Sequence, residues 1–188
     1  MIKTIPDFTI MNLLTAKVSL KSKCYMLYHL WLKRYIPICF YTRPVTRVIK
    51  KQNKQNLVGC EIGVSRGYNA VTMLKTLPIK KLYLIDISYE KNTINRLYRY
   101  LRQIVVKSGK SQDIASQIPQ LDFVYIDGSH EYDDVIDDIK LYYPKVKECG
   151  IVGGHDFNIQ DVSNAVVNFA LHNNLKLHSI KNDWWFEK

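Results

Sequence analysis

Blocks of apolar residues alternate with polar stretches over the last two-thirds of the chain. Short apolar runs that end at a glycine or an acid predict buried strands, and longer runs with apolar positions three or four apart predict helices. The predicted strands cover residues 57–62, 81–87, 103–107, 121–126, 149–153, 175–180 and 184–187. The predicted helices cover residues 68–77, 89–101, 113–117, 132–146 and 162–171.

Strands and helices alternate up to the fifth strand, which indicates a mostly parallel sheet with helices on both faces and right-handed crossovers. The last two strands have no helix between them, so we expect them to be antiparallel. The sequence therefore predicts a doubly wound α/β fold with a mostly parallel seven-stranded sheet and an antiparallel C-terminal strand. Ligands bind such sheets beyond the carboxyl ends of the strands.

Charge divides the chain into two parts. Residues 1–56 contain eleven Lys or Arg and one acid, whereas residues 57–188 contain sixteen residues of each sign. We predict a basic, aromatic-rich helical extension over 1–56, with helices that stop near Pro37 and Pro44, and a neutral domain over 57–188. The composition, 47% hydrophobic and 23% charged, argues against a disordered, collagen-like or coiled-coil protein.

The predicted extension interleaves aromatic and basic side chains. This pattern suits nucleic acid, an anionic membrane surface, or a negatively charged or glycan-like acceptor. The alternative, with about equal weight, is a helical cap that packs on the domain or on a second copy in a homodimer. Because no signal-peptide pattern or spanning apolar run is present and the four cysteines are scattered, we expect a cytoplasmic protein, at most peripheral to a membrane.

A glycine-containing loop follows the first predicted strand, with the sequence E-I-G-V-S-R-G-Y over 61–68. Gly63 and Gly67 allow tight turns and a close approach of the backbone to a ligand, although an ordinary strand–helix turn has the same composition. A dinucleotide fingerprint needs G-x-G-x-x-G, and Ser65 and Tyr68 stand at its second and third glycine positions. A pyrophosphate cofactor is therefore disfavoured.

Acids and histidines follow the other predicted strands. Asp86 ends the second strand, where a carboxylate can accept bonds from a ribose diol or cap a helix. The fourth and fifth strands are followed by Asp127, His130, His155 and Asp156, so we expect these four side chains to lie close together. Such a cluster needs a compensating charge, which a divalent cation would supply, unless the two acids only cap helices. We interpret the remaining acids of this region as a solvated helix face: Asp133, Asp134, Asp137 and Asp138.

Four segments together carry a family resemblance: E-I-G-V-S-R-G-Y, L-I-D, D-F-V-Y-I-D-G-S-H-E-Y-D-D-V-I-D-D-I and G-I-V-G-G-H-D-F. In this order they resemble class I S-adenosylmethionine-dependent methyltransferases. The likeness extends to the metal-dependent O-methyltransferases, of both the sugar/macrolide and the catechol/caffeoyl-CoA types. It covers about residues 57–188 and implies a Rossmann-like fold.

The resemblance implies roles for individual residues. It assigns cofactor binding to Glu61, Gly63, Ser65, Gly67, Asp86, Ser111, Asp113 and Asp127. It assigns metal binding, to Mg²⁺ or another divalent cation, to Asp127, His155 and Asp156, and catalysis to His130 as general base together with Asp127. Phe157 stands where the catechol type has an Asn ligand.

We therefore expect metal-assisted O-methylation of a hydroxylated small molecule or glycan. The segment from Asp127 to His130 lacks the prolines with which base-amino methyltransferases grip a planar amine, which favours a hydroxyl acceptor. The alternative is a non-catalytic cofactor-binding module of the same fold that associates with RNA or a membrane. Oxidative use of the metal site has less support.

Overall fold

The computed structural model describes residues 42–188, and residues 1–41 lie outside the described residues. Six α-helices fall within 42–188: α1 (Pro44–Lys51), α2 (Tyr68–Thr76), α3 (Lys91–Leu97), α4 (Ser111–Ile114), α5 (Tyr132–Tyr142) and α6 (Gln160–His172). The strands of the same region are β1 (Leu57–Ile62), β2 (Ile79–Asp86), β3 (Ile104–Ser108), β4 (Leu121–Ile126), β5 (Val146–Gly154), β6 (His178–Ile180) and β7 (Asp183–Glu187). Short 3₁₀ turns follow α3, α4 and α5, at Tyr98–Tyr100, Ala115–Gln117 and Tyr143–Lys145.

The seven strands form one sheet in the order β3-β2-β1-β4-β5-β7-β6. Strands β1 to β5 are parallel to one another, whereas β7 is antiparallel to both β5 and β6. The chain moves outward from β1 to β3 and then returns to place β4 on the other side of β1. The predicted fold class is confirmed, and the switch point lies between β1 and β4.

Both faces of the sheet are covered, because alternate residues of each central strand enter different apolar clusters. On β4, Val124 and Ile126 belong to the cluster with α5 and α6, and Phe123 and Tyr125 belong to the cluster with α1 and α2. This double burial explains why the central strands read as continuous apolar runs in the sequence. Among the helices of residues 42–188, none has the length and apolar character needed to cross a bilayer.

Prolines account for two differences from the predicted element boundaries. Pro44 was expected to stop a helix, but it begins α1, because its fixed φ and missing N–H suit the first turn. The helix predicted over 132–146 ends at Tyr142, and Pro144 lies in the 3₁₀ turn that leads into β5 at Val146. Strand β5 therefore begins earlier than predicted.

Helix α1 lies within the part of the sequence predicted as an extension. Its Val45 and Ile49 are buried, and the helix packs against α2, β5 and β7. The compact unit that the structure describes therefore includes α1. The helical extension remains a prediction for residues 1–41, as do its contacts with nucleic acid, a membrane or a second copy.

Glu61 is an acid inside the core of the sheet. It lies on β1 beside Leu84 of β2 and Tyr125 of β4, and it is 1% exposed. Asn69 of α2 donates a hydrogen bond to Glu61 Oε1 at 3.0 Å, whereas Oε2 has no partner among the described residues. Burial raises the pKa of Glu61 to about 8, because the charged form loses its water; the bond from Asn69 opposes this shift.

We predict that Gly59→Ala destabilises the protein by about 1–3 kcal/mol. A Cβ at Gly59 would lie 2.1 Å from Cζ of Phe123, so the Phe123 ring would have to move within a packed core. Gly128→Ala is the control, because its new Cβ would lie 3.5 Å from the nearest side-chain atom, of Ile62. Urea unfolding of both variants measures the difference, and equal losses would contradict the packing of Phe123 over Gly59.

We predict that Glu61→Gln stabilises the protein relative to wild type at alkaline pH. The folded protein holds the Glu61 proton up to a pKa of about 8, above the ordinary value of 4.5. The wild type therefore loses stability as pH rises between these values, by up to roughly 4 kcal/mol, and Gln loses none. Gln can still accept the bond from Asn69. Denaturant unfolding from pH 5 to 9 checks this, and a pH-independent difference between the two proteins would contradict it.

Candidate functional site

A cleft of about 790 Å³ lies at the carboxyl ends of β1, β2, β3 and β4. Six of the residues that the sequence assigned to a cofactor line this cleft: Gly63, Ser65, Asp86, Ser111, Asp113 and Asp127. Of the other two, Glu61 is buried in β1, and Gly67 directly precedes α2 and has a left-handed φ of 70°. Neither of them is among the described residues that line the cleft.

The close approach of β1 and β4 forms the floor of the cleft. Gly63 has a φ of 80°, and a Cβ at this position would lie 2.0 Å from the carbonyl oxygen of Asp127. The Asp127 N–H donates to the Ile62 carbonyl oxygen at 2.8 Å, which joins the two strand ends. Only glycine fits here, because both the space and the backbone conformation exclude a side chain.

Asp86 holds the loop between β1 and α2. Its Oδ2 accepts hydrogen bonds from the backbone N–H groups of Val64 and Ser65, both at 2.8 Å, and its Oδ1 accepts one from Ser88 at 3.2 Å. These bonds fix the loop that carries Ser65, whose φ is 47°. A carboxylate has about four acceptor sites, so Asp86 can still accept from a ligand hydroxyl, and its predicted contact with ribose remains a prediction.

Asp138 is a site residue that the sequence interpretation missed. It was expected on a solvated helix face, but it is 4% exposed, lines the cleft and accepts a hydrogen bond from Ser111 Oγ. Burial raises its pKa to about 6, and the bond from Ser111 opposes this shift. The available signal was helical spacing: residue 138 lies three positions after Val135 and four before Tyr142, which are both buried.

The acids and histidines that follow β4 and β5 lie together beside the cleft, as expected. Asp156 Oδ2 lies 2.8 Å from His130 Nε2, and Asp156 Oδ1 lies 2.8 Å from His155 Nδ1. Asp127 Oδ1 lies 3.7 Å from the same His155 nitrogen. One ligand atom each from Asp127, His155 and Asp156 lies within 4.8 Å of the others, so these three residues could hold a cation.

Arg43 completes this cluster, although the sequence interpretation counted it only as one charge of the extension. Its Nη2 lies 3.3 Å from Asp127 Oδ2, and its Nη1 lies 3.5 Å from Asp183 Oδ1. The guanidinium also lies over the Tyr125 ring, 5.6 Å from its centre. Asp183, which was not predicted either, begins β7 and accepts hydrogen bonds from the Val45 N–H and the Tyr125 hydroxyl, both at 3.3 Å.

The pKa values of the cluster reflect both burial and mutual charge. Burial raises the pKa of Asp127 to about 7, and Arg43 opposes this shift. Burial also raises the pKa of Asp183, against the Val45 N–H and Arg43. Burial lowers the pKa of His155, and Arg43 acts in the same direction. An acid whose pKa lies near 7, such as Asp127, can exchange a proton near neutral pH.

Comparison with known proteins adds sequence and fold evidence. Residues 60–157, just over half of the chain, match the model of a family described as a methyltransferase domain. No curated protein matches the sequence. The O-methyltransferase NovP shares the fold with a TM-score of 0.64 and 16% identity, covering 77% of each chain.

Two further solved structures have similar folds. A protein of Staphylococcus aureus assigned as a caffeoyl-CoA O-methyltransferase gives a TM-score of 0.62 at 14% identity, over 87% of this chain and 91% of that one. The mycinamycin-pathway methyltransferase MycE, solved with Mg, SAH and mycinamycin VI, gives 0.60 at 21% identity, over 76% of this chain. The match covers 47% of MycE, about half of its length.

At these identities the solved structures show the fold alone, and the family match rests on the sequence itself. The matched residues run from Cys60 in β1 to Phe157 after β5, and so include the cleft loop and the acids and histidines beside it. The chain therefore belongs to the methyltransferase-domain family, with the fold of the class I S-adenosylmethionine-dependent methyltransferases.

Proposed function

We propose that this protein transfers a methyl group from S-adenosylmethionine to a hydroxyl oxygen of a small molecule or glycan. The observation that carries the proposal is the position of Asp127, which lines the cleft and also belongs to the acid and histidine cluster. A cofactor in the cleft and an acceptor at the cluster would therefore meet at this residue.

The charge of the cleft supports S-adenosylmethionine as the cofactor. The acids that line it are Asp86, Asp113, Asp127, Asp134, Asp137 and Asp138, and Lys110 is the one Lys or Arg among the described lining residues. A negative cleft attracts the sulfonium and ammonium groups of S-adenosylmethionine and repels a pyrophosphate. The incomplete dinucleotide fingerprint also argues against a pyrophosphate cofactor. MycE, which has a similar fold, was solved with SAH.

The proposed reaction is an in-line displacement that needs a proton acceptor. S-adenosylmethionine would supply a methyl group that is bound to a sulfonium sulfur, and the neutral thioether S-adenosylhomocysteine would be the leaving group. The C–S bond breaks as the O–C bond forms, and the hydroxyl proton must leave the acceptor oxygen. His130 can take it: if its Nε2–H donates to Asp156, Nδ1 carries the free lone pair. The His130 side chain is 52% exposed, so an acceptor can reach it.

The residues present fit a divalent cation. It would be held by Asp127, His155 and Asp156. Asp156 has a left-handed φ of 57°, a strained conformation that is more frequent at functional sites. Two carboxylates suit Mg²⁺, and the imidazole also suits Mn²⁺ or Zn²⁺. A bound cation would lower the pKa of an acceptor hydroxyl. Phe157 cannot act as the Asn ligand of the catechol type, so the ligand set would end with these three side chains.

We predict that His130→Gln lowers methyl transfer at least about 100-fold, because the variant has no base for the hydroxyl proton. Formation of S-adenosylhomocysteine with a panel of catechols and sugars measures the rate, and the affinity for S-adenosylmethionine should stay near wild type. His172→Gln, an exposed histidine in the last turn of α6, is the control and should keep full activity. A wild-type rate in the His130 variant would contradict the assigned base.

We also predict that the protein binds S-adenosylmethionine and does not bind NAD. Since the attraction is largely electrostatic, the affinity for S-adenosylmethionine should fall as salt is raised. It should also fall several-fold in Asp113→Asn, where one lining charge is removed. Calorimetric titration of each cofactor, with and without magnesium, measures this. Binding of neither cofactor, or of NAD alone, would contradict the cofactor assignment.

A further inference from the structure

The two oxygens of the Asp127 carboxylate have different partners. Oδ1 faces His155 Nδ1 at 3.7 Å, and Oδ2 faces Arg43 Nη2 at 3.3 Å. A cation held with His155 and Asp156 would bind on the Oδ1 side. Arg43 would then remain on Oδ2 of the same carboxylate, so a fixed positive charge would lie directly beside the cation.

Several contacts that do not involve Asp127 hold Arg43 in place. Asp183 accepts one of its N–H groups at 3.5 Å, and the Tyr125 ring lies beneath the guanidinium. Asp183 is itself fixed, because its side chain is only 3% exposed and the Val45 N–H donates to its second oxygen. Arg43 also directly precedes Pro44, whose φ is fixed. A cation arriving at Asp127 would therefore not simply displace the guanidinium.

A fixed guanidinium has two opposite effects on the binding of a cation at this carboxylate. It favours the ionised form of Asp127, which keeps the carboxylate ready to act as a ligand. It also repels a second cation over a few ångströms in a site that is largely shielded from water, where such repulsion is strong. The divalent ion carries two charges and would lie on the Oδ1 side of the carboxylate that Arg43 contacts at Oδ2, so we expect this repulsion to govern its affinity.

We propose that Arg43 is a built-in counter-charge that sets a low affinity for divalent cations at Asp127, His155 and Asp156. Arg43 is a positioning residue here: it acts through Asp127 and does not touch the reacting atoms. The inference rests on the cation site of the proposed function. It accounts for a half-buried arginine that is paired with Asp127, the carboxylate shared by the cleft and the proposed cation site.

The test is calorimetric titration of Mn²⁺ and Mg²⁺ into the full chain. We expect Arg43→Gln, which removes the charge, to bind Mn²⁺ about ten-fold more tightly than wild type, a change of about 1.4 kcal/mol. Arg43→Lys keeps the charge and should stay near wild type. Arg47→Gln removes the same charge from the exposed face of α1 and should also stay near wild type. Asp127→Asn should abolish the binding in every background.

The sign of the change separates this role from a purely structural one. Loss of structure would weaken cation binding, so equal or weaker binding by folded Arg43→Gln would overturn the proposal, as would no binding by either protein. If Arg43→Gln does not fold, Arg43→Met, which keeps an apolar stem over Tyr125, is titrated in its place. Methyl transfer is measured separately: its absence in a protein that shows the ten-fold change would overturn the proposed function and leave the role of Arg43 intact.

Discussion

The close contact between the ends of β1 and β4 is the constraint on which the site depends. Gly63 passes so near the Asp127 carbonyl oxygen that no side chain fits between them. This contact brings the cleft loop of β1 next to the residues that follow β4, and β5 adds His155 and Asp156 from the next position in the sheet. The cleft and the cluster of acids and histidines therefore meet at the ends of neighbouring strands.

Charge is partly balanced within the cluster by the chain's own groups. Asp127 and Asp183 share one guanidinium, and Asp156 bonds to two imidazoles. Burial still raises the pKa values of Asp127 and Asp183, so the compensation is partial. Partial compensation suits an enzyme site, because a cationic ligand or a proton can complete it. Glu61, deeper in the same sheet, is kept neutral instead by burial.

The sequence predicted the fold and the local parts of the site, but not the contacts between distant segments. The apolar strand runs, and the rule that ligands bind beyond the carboxyl ends of parallel strands, were enough to place Asp127, His130, His155 and Asp156 together, because each lies within four residues of a strand end. Arg43 and Asp183 gave no such signal. They lie 84 and 56 residues from Asp127, and only the packing of α1 against β7 brings them to it. Asp138 had a signal in its helical spacing, but the three acids grouped with it, Asp133, Asp134 and Asp137, obscured that signal.

The position of Asp183 at the start of β7 has a consequence for how the site forms during synthesis. Strand β7 is the last element of the sheet to be made, and it enters between β5 and β6. Until it does, Arg43 lacks its second carboxylate, and the indole of Trp184 cannot donate to the His155 carbonyl oxygen at 3.0 Å. A nascent chain on the ribosome could thus fold β1 to β5 early and still lack the complete acid and histidine cluster until residues 183–187 have emerged.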